Sequence, residues 1–364
     1  MTIKALCITQ DPDRPTVATF IGLARAGVDM TVVCPPSGVG REALKAAGIR
    51  LFDLSLRKSI DRAGRRRLRE ELVRGRYDIL HLLGNKALQN GLAAVRGLPT
   101  RVIAYRGIVG NVSYLSPVSW LRVLNPRIDR IVCVCNAVRD YFLTMGPRCL
   151  RMPPTRAVTI YKGHSLDWYR DAPADLTACG VAPGDFTVVC VANYRPRKGI
   201  EILVDAMAVL PPEWRARLLL VGRMDDAQLT RKIAASPAKE RIHRLGHRQD
   251  APAITAACDV FVLPSIKREG LPRAVIEAMA YGVPPIVTDC GGSPELVVDG
   301  VSGIVVPVAD AKAIASAIGR LHAEPELRRR MGVAARERIA RDFRIEDTIA
   351  RTLALYEDLA IERR

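Results

Sequence analysis

Short apolar runs alternate with amphipathic stretches along the whole of this chain, and that alternation constrains the fold more than any other property. In the first half, runs at 4–9, 29–33, 79–83, 101–105 and 130–134 read as strands. Stretches at 16–26, 42–47, 62–74 and 137–145 read as helices. The second half repeats the scheme, with strand-like runs at 186–191, 216–221, 241–245, 260–263, 285–288 and 303–306. A repeated strand-then-helix order predicts parallel sheets covered by helices on both faces. At 364 residues the chain is long enough for two such domains. The expected fold class is therefore α/β, with two doubly wound, Rossmann-like domains. Residues 161–167 read as the linker, giving domains at 1–165 and 166–343. Open parallel sheets bind ligands at the carboxyl ends of their strands, and two domains meeting there are expected to enclose a cleft.

Composition narrows the class further. Apolar residues make up 49% and charged residues 26%, which suits a globular protein with an unstapled core. The nine cysteines are odd in number and scattered through apolar runs, as expected of reduced thiols. Cys133-Val-Cys135 lacks the spacing of a metal knuckle, His243 and His247 flank Gly246 in a strand-like context, and Asp225-Asp226 is a bare acidic pair. No metal site is expected. The amino-terminal segment reads as a strand and is not expected to be a leader, and no apolar run reaches the ~18 residues of a membrane span. The expectation is a cytoplasmic protein. The net charge of +17 is unevenly held. Residues 1–170 carry 28 Lys and Arg against 12 Asp and Glu, whereas residues 171–364 carry 27 against 26. A field of this kind draws polyanions or an anionic membrane face to the first half.

The most informative stretch is Ser265-Ile-Lys-Arg-Glu269-Gly-Leu-Pro-Arg-Ala-Val-Ile-Glu277, continued by Ala-Met-Ala-Tyr-Gly282-Val-Pro and, further on, Gly291-Gly292-Ser-Pro-Glu295. Glu269 falls in a Gly/Pro turn. Glu277 is expected two turns into a buried, Ala-rich helix, before an apolar strand at 283–287. Positions eight apart share a helix face, so Glu277 is expected to point the way the turn does. A carboxylate inside an apolar helix is costly unless something bonds it. Carboxylates accept only, and the hydroxyls of a polyhydroxylated ligand donate. The plainer possibility for an isolated Glu is a solvated surface position.

At these residues the chain resembles the retaining GT-B-fold glycosyltransferases of the sucrose-synthase-like family 4. A second match is Val191-Ala-Asn193-Tyr-Arg195-Pro-Arg197-Lys198-Gly199-Ile, where that family has a strand, a basic loop and a helix. A third is Val260-Phe-Val-Leu-Pro264-Ser265. The resemblance implies that Glu277 holds the ribose of a nucleotide-sugar donor. It implies that Glu269 meets hydroxyls of the transferred sugar, with the backbone amides around Gly270, Leu271 and Pro272 near the diphosphate, which Lys198 binds. A cation and backbone N–H groups stabilise a departing nucleoside diphosphate, so neither metal nor cofactor is expected. The family's Arg, some five residues before the Lys, is here Asn193. Arg195, of the same strand parity, is the expected replacement, and Arg197 the other candidate. The resemblance also implies that the last helix, 344–361 within the segment 344–364, packs back on the first domain.

The first domain departs from that family. The turn after the first strand, Gln10-Asp-Pro-Asp-Arg14-Pro, has no glycine, so no phosphate cradle is expected there. Where the family has a His near the transferred sugar, this chain has Ala104-Tyr105-Arg106-Gly107. Arg106, Tyr105 and Arg14 are the acceptor-side candidates. Residues 61–76 hold seven arginines on a thin apolar stripe, which suits either a solvated helix laced with ion pairs or a polyanion contact. Residues 114–126 mix Tyr114, Leu115, Val118, Trp120 and Leu121 with Arg122, suiting either a bilayer interface or a core helix.

The expected function is transfer of a hexose-type sugar, with retention, from a nucleotide diphosphate to a glycan or lipid-linked, anionic acceptor. Such acceptors belong to lipopolysaccharide, capsule or exopolysaccharide assembly at the inner face of the membrane. Lys198, Arg195 and Glu269 are the catalytic candidates. A nucleotide-sugar epimerase or hydrolase of the same fold is the alternative enzyme, although the first half offers little beyond His81 as an acid or base. A non-catalytic polyanion binder is the third reading. Nucleic acid is not an expected partner, because aromatic residues do not interleave the basic ones.

Overall fold

A computed structural model of the chain describes residues 2–362. It divides into two compact units, Met1–Gly163 with Arg344–Arg364, and His164–Phe343.

The first unit contains strands β1 (Lys4–Ile8), β2 (Asp29–Cys34), β3 (Arg50–Asp53), β4 (Ile79–Leu83), β5 (Arg101–Arg106), β6 (Arg130–Cys133) and β7 (Ala157–Thr159). Its helices are α1 (Arg14–Arg25), α2 (Arg41–Ala46), α3 (Arg62–Gly75), α4 (Asn85–Ala94), α5 (Pro117–Trp120) and α6 (Asn136–Thr144). The second unit contains β8 (Phe186–Val191), β9 (Ala216–Val221), β10 (Ile242–Gly246), β11 (Val260–Leu263), β12 (Pro285–Thr288) and β13 (Ile304–Val306). Its helices are α7 (Ile200–Val209), α8 (Ala227–Ala234), α9 (Ala251–Ala256), α10 (Arg273–Ala280), α11 (Ser293–Leu296), α12 (Ala311–Ala323) and α13 (Pro325–Asp342). The final helix, α14 (Ile345–Ile361), returns to the first unit.

Every recorded strand pair is parallel. The sheets run β3-β2-β1-β4-β5-β6-β7 and β10-β9-β8-β11-β12-β13. Each order reverses direction beside the unit's first strand, between β1 and β4 and between β8 and β11. Such a switch point opens a crevice at the strands' carboxyl ends. The strands read as unbroken apolar runs because helices bury both sheet faces. The second unit has its own core, including Val188, Leu203, Met207, Leu218, Val262 and Ile318. The first unit's core takes in Leu355, Tyr356 and Leu359 of α14 beside Phe20 and Leu23 of α1.

The strand assignments at 79–83, 186–191, 216–221, 260–263 and 285–288 match the structure; that at 241–245 shifts by a residue at both ends, and the others by a residue at one end. In the first unit three elements were not expected. β3 is short, half-exposed and bounded by charges, β7 has three residues, and α4 carries Gly91 in its body and no side-chain cap. Two expectations are corrected. The strand expected at 283–287 starts at Pro285, because Val283 belongs to the turn closing α10: its N–H donates to Ala278 O at 2.9 Å. Residues 114–126 do not form a core helix. α5 has four residues, and Leu115 and Leu121 are 94% and 62% exposed.

The arginine-rich α3 is neither free nor uniformly solvated. Leu68 and Leu72 face the core. Arg65 donates to Asn90 Oδ1 (3.0 Å) and Gln89 O (3.4 Å), and Arg69 to Ala94 O at 3.0 Å. The last of these serves a carbonyl that the end of α4 would otherwise leave unpaired.

Candidate active site

In the second unit, two loops meet beyond the carboxyl ends of β8 and β11. After β8 the chain makes a 3₁₀ turn, Pro196–Lys198, that stops at Gly199 with φ 64°. A Cβ on Gly199 would lie 2.1 Å from Pro264 O, so only glycine lets the basic turn approach the end of β11 this closely. The two loops are then joined by Ile266 N–H donating to Arg197 O at 2.9 Å.

This approach gathers four side chains. Glu269, 5% exposed, receives at Oε1 the Lys198 ammonium (2.5 Å) and the Ser265 hydroxyl (2.8 Å), with Arg197 Nη1 at 3.6 Å. No hydrogen bond to Glu269 Oε2 is formed among the described residues. Arg197 Nη1 also donates to Arg268 O at 3.3 Å. Arg268 itself takes a left-handed conformation, φ 63°, which is uncommon for a bulky side chain and marks a strained turn. On the other side, Gly291 (φ 59°) comes so near that a Cβ would meet Glu269 O at 2.3 Å, and Gly292 N–H donates to Gly270 O at 3.1 Å. The N–H groups of Gly270 and Leu271 donate to no acceptor among the described residues. They precede Pro272, the uncapped start of α10.

The structure brings Lys198, Arg197 and Glu269 together as the sequence suggested, and corrects two details. β8 ends at Val191, so strand parity does not extend to Asn193 and Arg195. Asn193 Oδ1 accepts from Arg223 N–H at 3.0 Å. Arg195 is exposed and forms no ion pair among the described residues, and Arg197 is the arginine that faces Glu269. Glu277 lies in the second turn of α10, not two turns in. Its side chain is 21% exposed and pairs with Arg273 one turn earlier at 3.2 Å, while Val275, Ile276, Ala278 and Met279 take the buried face. Two hydroxyls carried no signal of their own in the sequence. Ser265 is fully buried and bonded to Glu269, and Ser293 is fully buried with its Oγ unpartnered. Only the Gly291-Gly292 turn before Ser293 hinted at it.

In the first unit a pocket of ≈ 530 Å³ opens at the β1/β4 switch point, lined by Gln10, Asp13, Asn85, Lys86, Tyr105, Arg106 and Lys162 among others. The glycine-free turn carries a carboxylate. Asp13 caps α1 by accepting from Thr16 N–H (3.2 Å), and Lys162 donates to both its oxygens at 2.9 and 2.8 Å. Burial alone would raise this carboxyl, but the Lys162 ammonium and the Thr16 bonds hold it below its ordinary value. Lys162 also lies 5.3 Å from the centre of the Tyr105 ring. Arg106 lines the pocket with its guanidinium committed to the following loop, donating to Ile108 O (3.0 Å) and to Gly110 O. Arg14 is exposed in the first turn of α1 and does not line the pocket. His81, named as a possible acid or base, is buried against α14, its Nδ1 2.9 Å from the Tyr356 hydroxyl and its Nε2 unpartnered. Burial brings its pKa down to about 4. Among the described residues no group of three or more His, Cys, Asp or Glu is placed to hold a metal.

Two Rossmann-like units, one with a cationic pair seated on a buried carboxylate at its switch point, give the chain a GT-B architecture. Solved structures agree on the fold. A glycosyltransferase from Rickettsia africae superposes with a TM-score of 0.82 over 98% of both chains at 19% identity. Anabaena Alr3699/HepE in complex with UDP-glucose gives 0.77 over 98% of this chain and 99% of its own, at 23% identity. Residues 178–338 match the glycosyl transferases group 1 family and residues 17–168 match glycosyltransferase family 4. The phosphatidyl-myo-inositol mannosyltransferase of Mycobacterium leprae is 30% identical over 81% of this chain and 77% of its own. The lipopolysaccharide core biosynthesis mannosyltransferase LpsB of Rhizobium meliloti is 30% identical over 66% of this chain and 68% of its own. The N-acetyl-alpha-D-glucosaminyl L-malate synthase of Bacillus anthracis is 30% identical over 50% of this chain, which spans about half (47%) of that relative. The chain belongs to the group 1, family 4 glycosyltransferases.

Proposed function

We propose that this glycosyltransferase moves a hexose-type sugar, with retention of configuration, from a nucleotide diphosphate donor to a hydroxyl of an anionic glycan or lipid-linked acceptor. The observation that carries the reading is the convergence of Lys198, Arg197 and Ser265 on Glu269 at the β8/β11 switch point. Lys198 and Arg197 lie where a diphosphate would accept their charge, beside the undonated N–H groups of Gly270 and Leu271. Glu269 Oε2 accepts a sugar hydroxyl, and Glu277 accepts from the ribose by exchanging its pairing with Arg273. The bond from the anomeric carbon to the diphosphate oxygen breaks as the acceptor oxygen bonds to the same face, and the acceptor proton passes to the leaving diphosphate. The fixed cations disperse the charge that develops there, so the reading calls for neither metal nor cofactor.

Glycan and lipid acceptors are those of the relatives: LpsB is named for lipopolysaccharide core biosynthesis and the leprosy-bacillus enzyme for phosphatidyl-myo-inositol. On this reading the first unit's pocket takes the acceptor, with Lys86 and Lys162 as its cations, and the enzyme works at the inner face of the membrane.

The test is calorimetric titration of UDP, GDP, ADP and their common sugar conjugates into wild type, Glu277→Ala and Lys198→Ala. One nucleotide should bind, weaken in Glu277→Ala and lose most of its diphosphate contribution in Lys198→Ala. Turnover with the matching sugar donor should vanish in a folded Lys198→Ala protein, and nuclear magnetic resonance should show the donor's anomeric configuration kept in the product. Full activity in that variant would end the proposal.

A further inference from the structure

The first unit carries a surface that the transfer reading does not use. Ser113 to Leu121 form a tight turn with its apolar side chains outward. Leu115 is 94% exposed, Leu121 62%, Val118 49% and Trp120 42%. The turn is held rigidly: Ser119 Oγ accepts from Ser113 N–H at 3.1 Å, Trp120 Nε1 donates to Tyr114 O at 2.7 Å, and the two rings sit 5.8 Å apart. Val112, Val123 and Leu124 anchor it inward. The backbone of the turn is therefore ordered before any partner arrives, which lowers the ordering cost of contact.

Leu121 is also the rim of a second pocket, ≈ 470 Å³, lined by Ile60, Arg65, Gln89, Arg96 and Arg127 among others. Two of its arginines are pre-oriented by the fold. Arg65 is held by Asn90 and Gln89, and Arg127 by Leu98 O at 3.0 Å and Asp129 at 3.1 Å. Arg96 is exposed and forms no ion pair among the described residues. Gln89 Oε1 is shut from solvent without a hydrogen-bond partner. From residue 79 to residue 128 the chain has six Lys and Arg and no Asp or Glu. Asp129, just beyond, pairs with Arg101 and Arg127, which leaves Arg65 and Arg96 as the pocket's arginines without an ion pair among the described residues.

An apolar wedge beside a cationic pocket matches one occupant by both shape and charge. We propose that this face docks on an anionic phospholipid bilayer, with Leu115, Val118 and Trp120 entering the acyl boundary and the pocket of Arg65 and Arg96 taking a head-group phosphate. Apolar insertion and electrostatic attraction to anionic lipid act together in binding of this kind. The inference deepens the lipid-linked acceptor reading, but its readout needs no donor, so the two can fail separately.

The experiment is co-sedimentation of the full chain with phosphatidylglycerol-containing vesicles and with pure phosphatidylcholine vesicles, at low and raised salt. Wild type should bind the anionic vesicles and spare the neutral ones. The Leu115→Asp/Leu121→Asp double variant, changed only at exposed positions, should lose roughly tenfold or more of that binding. Arg96→Glu should lose roughly fivefold or more. Both variants should unfold at the wild-type temperature and titrate nucleotide as wild type does. Vesicle binding that ignores the charge of the lipid, or that survives the double variant, would overturn the proposal. So would inorganic phosphate that competes as well as vesicles do, or duplex DNA binding that persists in the double variant while vesicles are ignored.

Discussion

At Glu269 a single carboxylate oxygen receives an ammonium, a guanidinium and a hydroxyl. Breaking a buried pair of this kind by removing one member strands the other charge, at a cost on the order of 3 kcal/mol. Arg197 limits that cost when Lys198 is lost, because it already stands 3.6 Å from the same oxygen. On the proposed function, the same position makes Arg197, rather than Arg195, the second cation for the donor diphosphate. Arg197→Ala should therefore lower kcat by roughly a hundredfold to a thousandfold, the range seen when one donor to a developing charge is removed. Arg195→Ala should stay within about threefold of wild type. Steady-state kinetics of the two variants with the matched donor checks this, and the opposite ranking would show that the exposed arginine turns inward on the donor. Lys198 and Glu269 were legible in the sequence because each sits in a long motif whose residue types suit one chemistry. The choice between Arg195 and Arg197 was not. It depends on where β8 stops, and parity carries no information beyond the last strand residue. Ser265 and Ser293 were illegible for a different reason: a hydroxyl is ordinary in any loop until the fold buries it.

Elements were read well where burial makes the pattern continuous and poorly where it does not. β8, β9, β11 and β12 are near-unbroken apolar runs at the centre of a sheet, and their bounds followed directly. α4 starts at a glycine and carries another within, so its periodicity was hidden, although the β4–α4 junction lines the first unit's pocket. The most informative contact between elements joins β4 to α14. His81 on β4 meets Tyr356 on α14, and Cys7 Sγ lies 3.5 Å from the same hydroxyl. Burial pushes the Cys7 thiol up to about 12 and the Tyr356 phenol well up, so both stay neutral in acid. Only the imidazole titrates there. Burial lowers it from 6.5 to about 4, so between those values the unfolded chain binds a proton that the folded chain refuses. The stability this group contributes is complete above pH 6.5 and is lost as pH falls towards 4, by about 3 kcal/mol in all. Urea denaturation of wild type and His81→Gln across that window should show the wild-type curve falling more steeply, with the difference closing above pH 6.5. Parallel curves would mean that the imidazole charges in place without loosening α14.

Over the whole molecule, the chain order and the folding units do not coincide. The first unit is completed by Arg344–Arg364, whereas His164–Phe343 is continuous and holds its own core and the whole Lys198–Glu269 cluster. The charge is divided the same way, with nearly all of the excess in the first 170 residues. A fragment spanning 164–343 should therefore fold cooperatively alone and bind the nucleotide within about threefold of the full chain, because no residue proposed for the donor lies outside it. A chain ending at 343 should behave differently. Without α14, the side chains of Phe20, Leu23 and Cys7 lose the cover of Leu355, Tyr356 and Leu359, and exposed apolar surface of this kind favours association. Circular dichroism with urea titration, light scattering and calorimetry distinguish the two fragments. A 164–343 fragment that folds but fails to bind would place part of the donor site in the first unit. One that does not fold would mean that the second unit's core is insufficient without the rest of the chain.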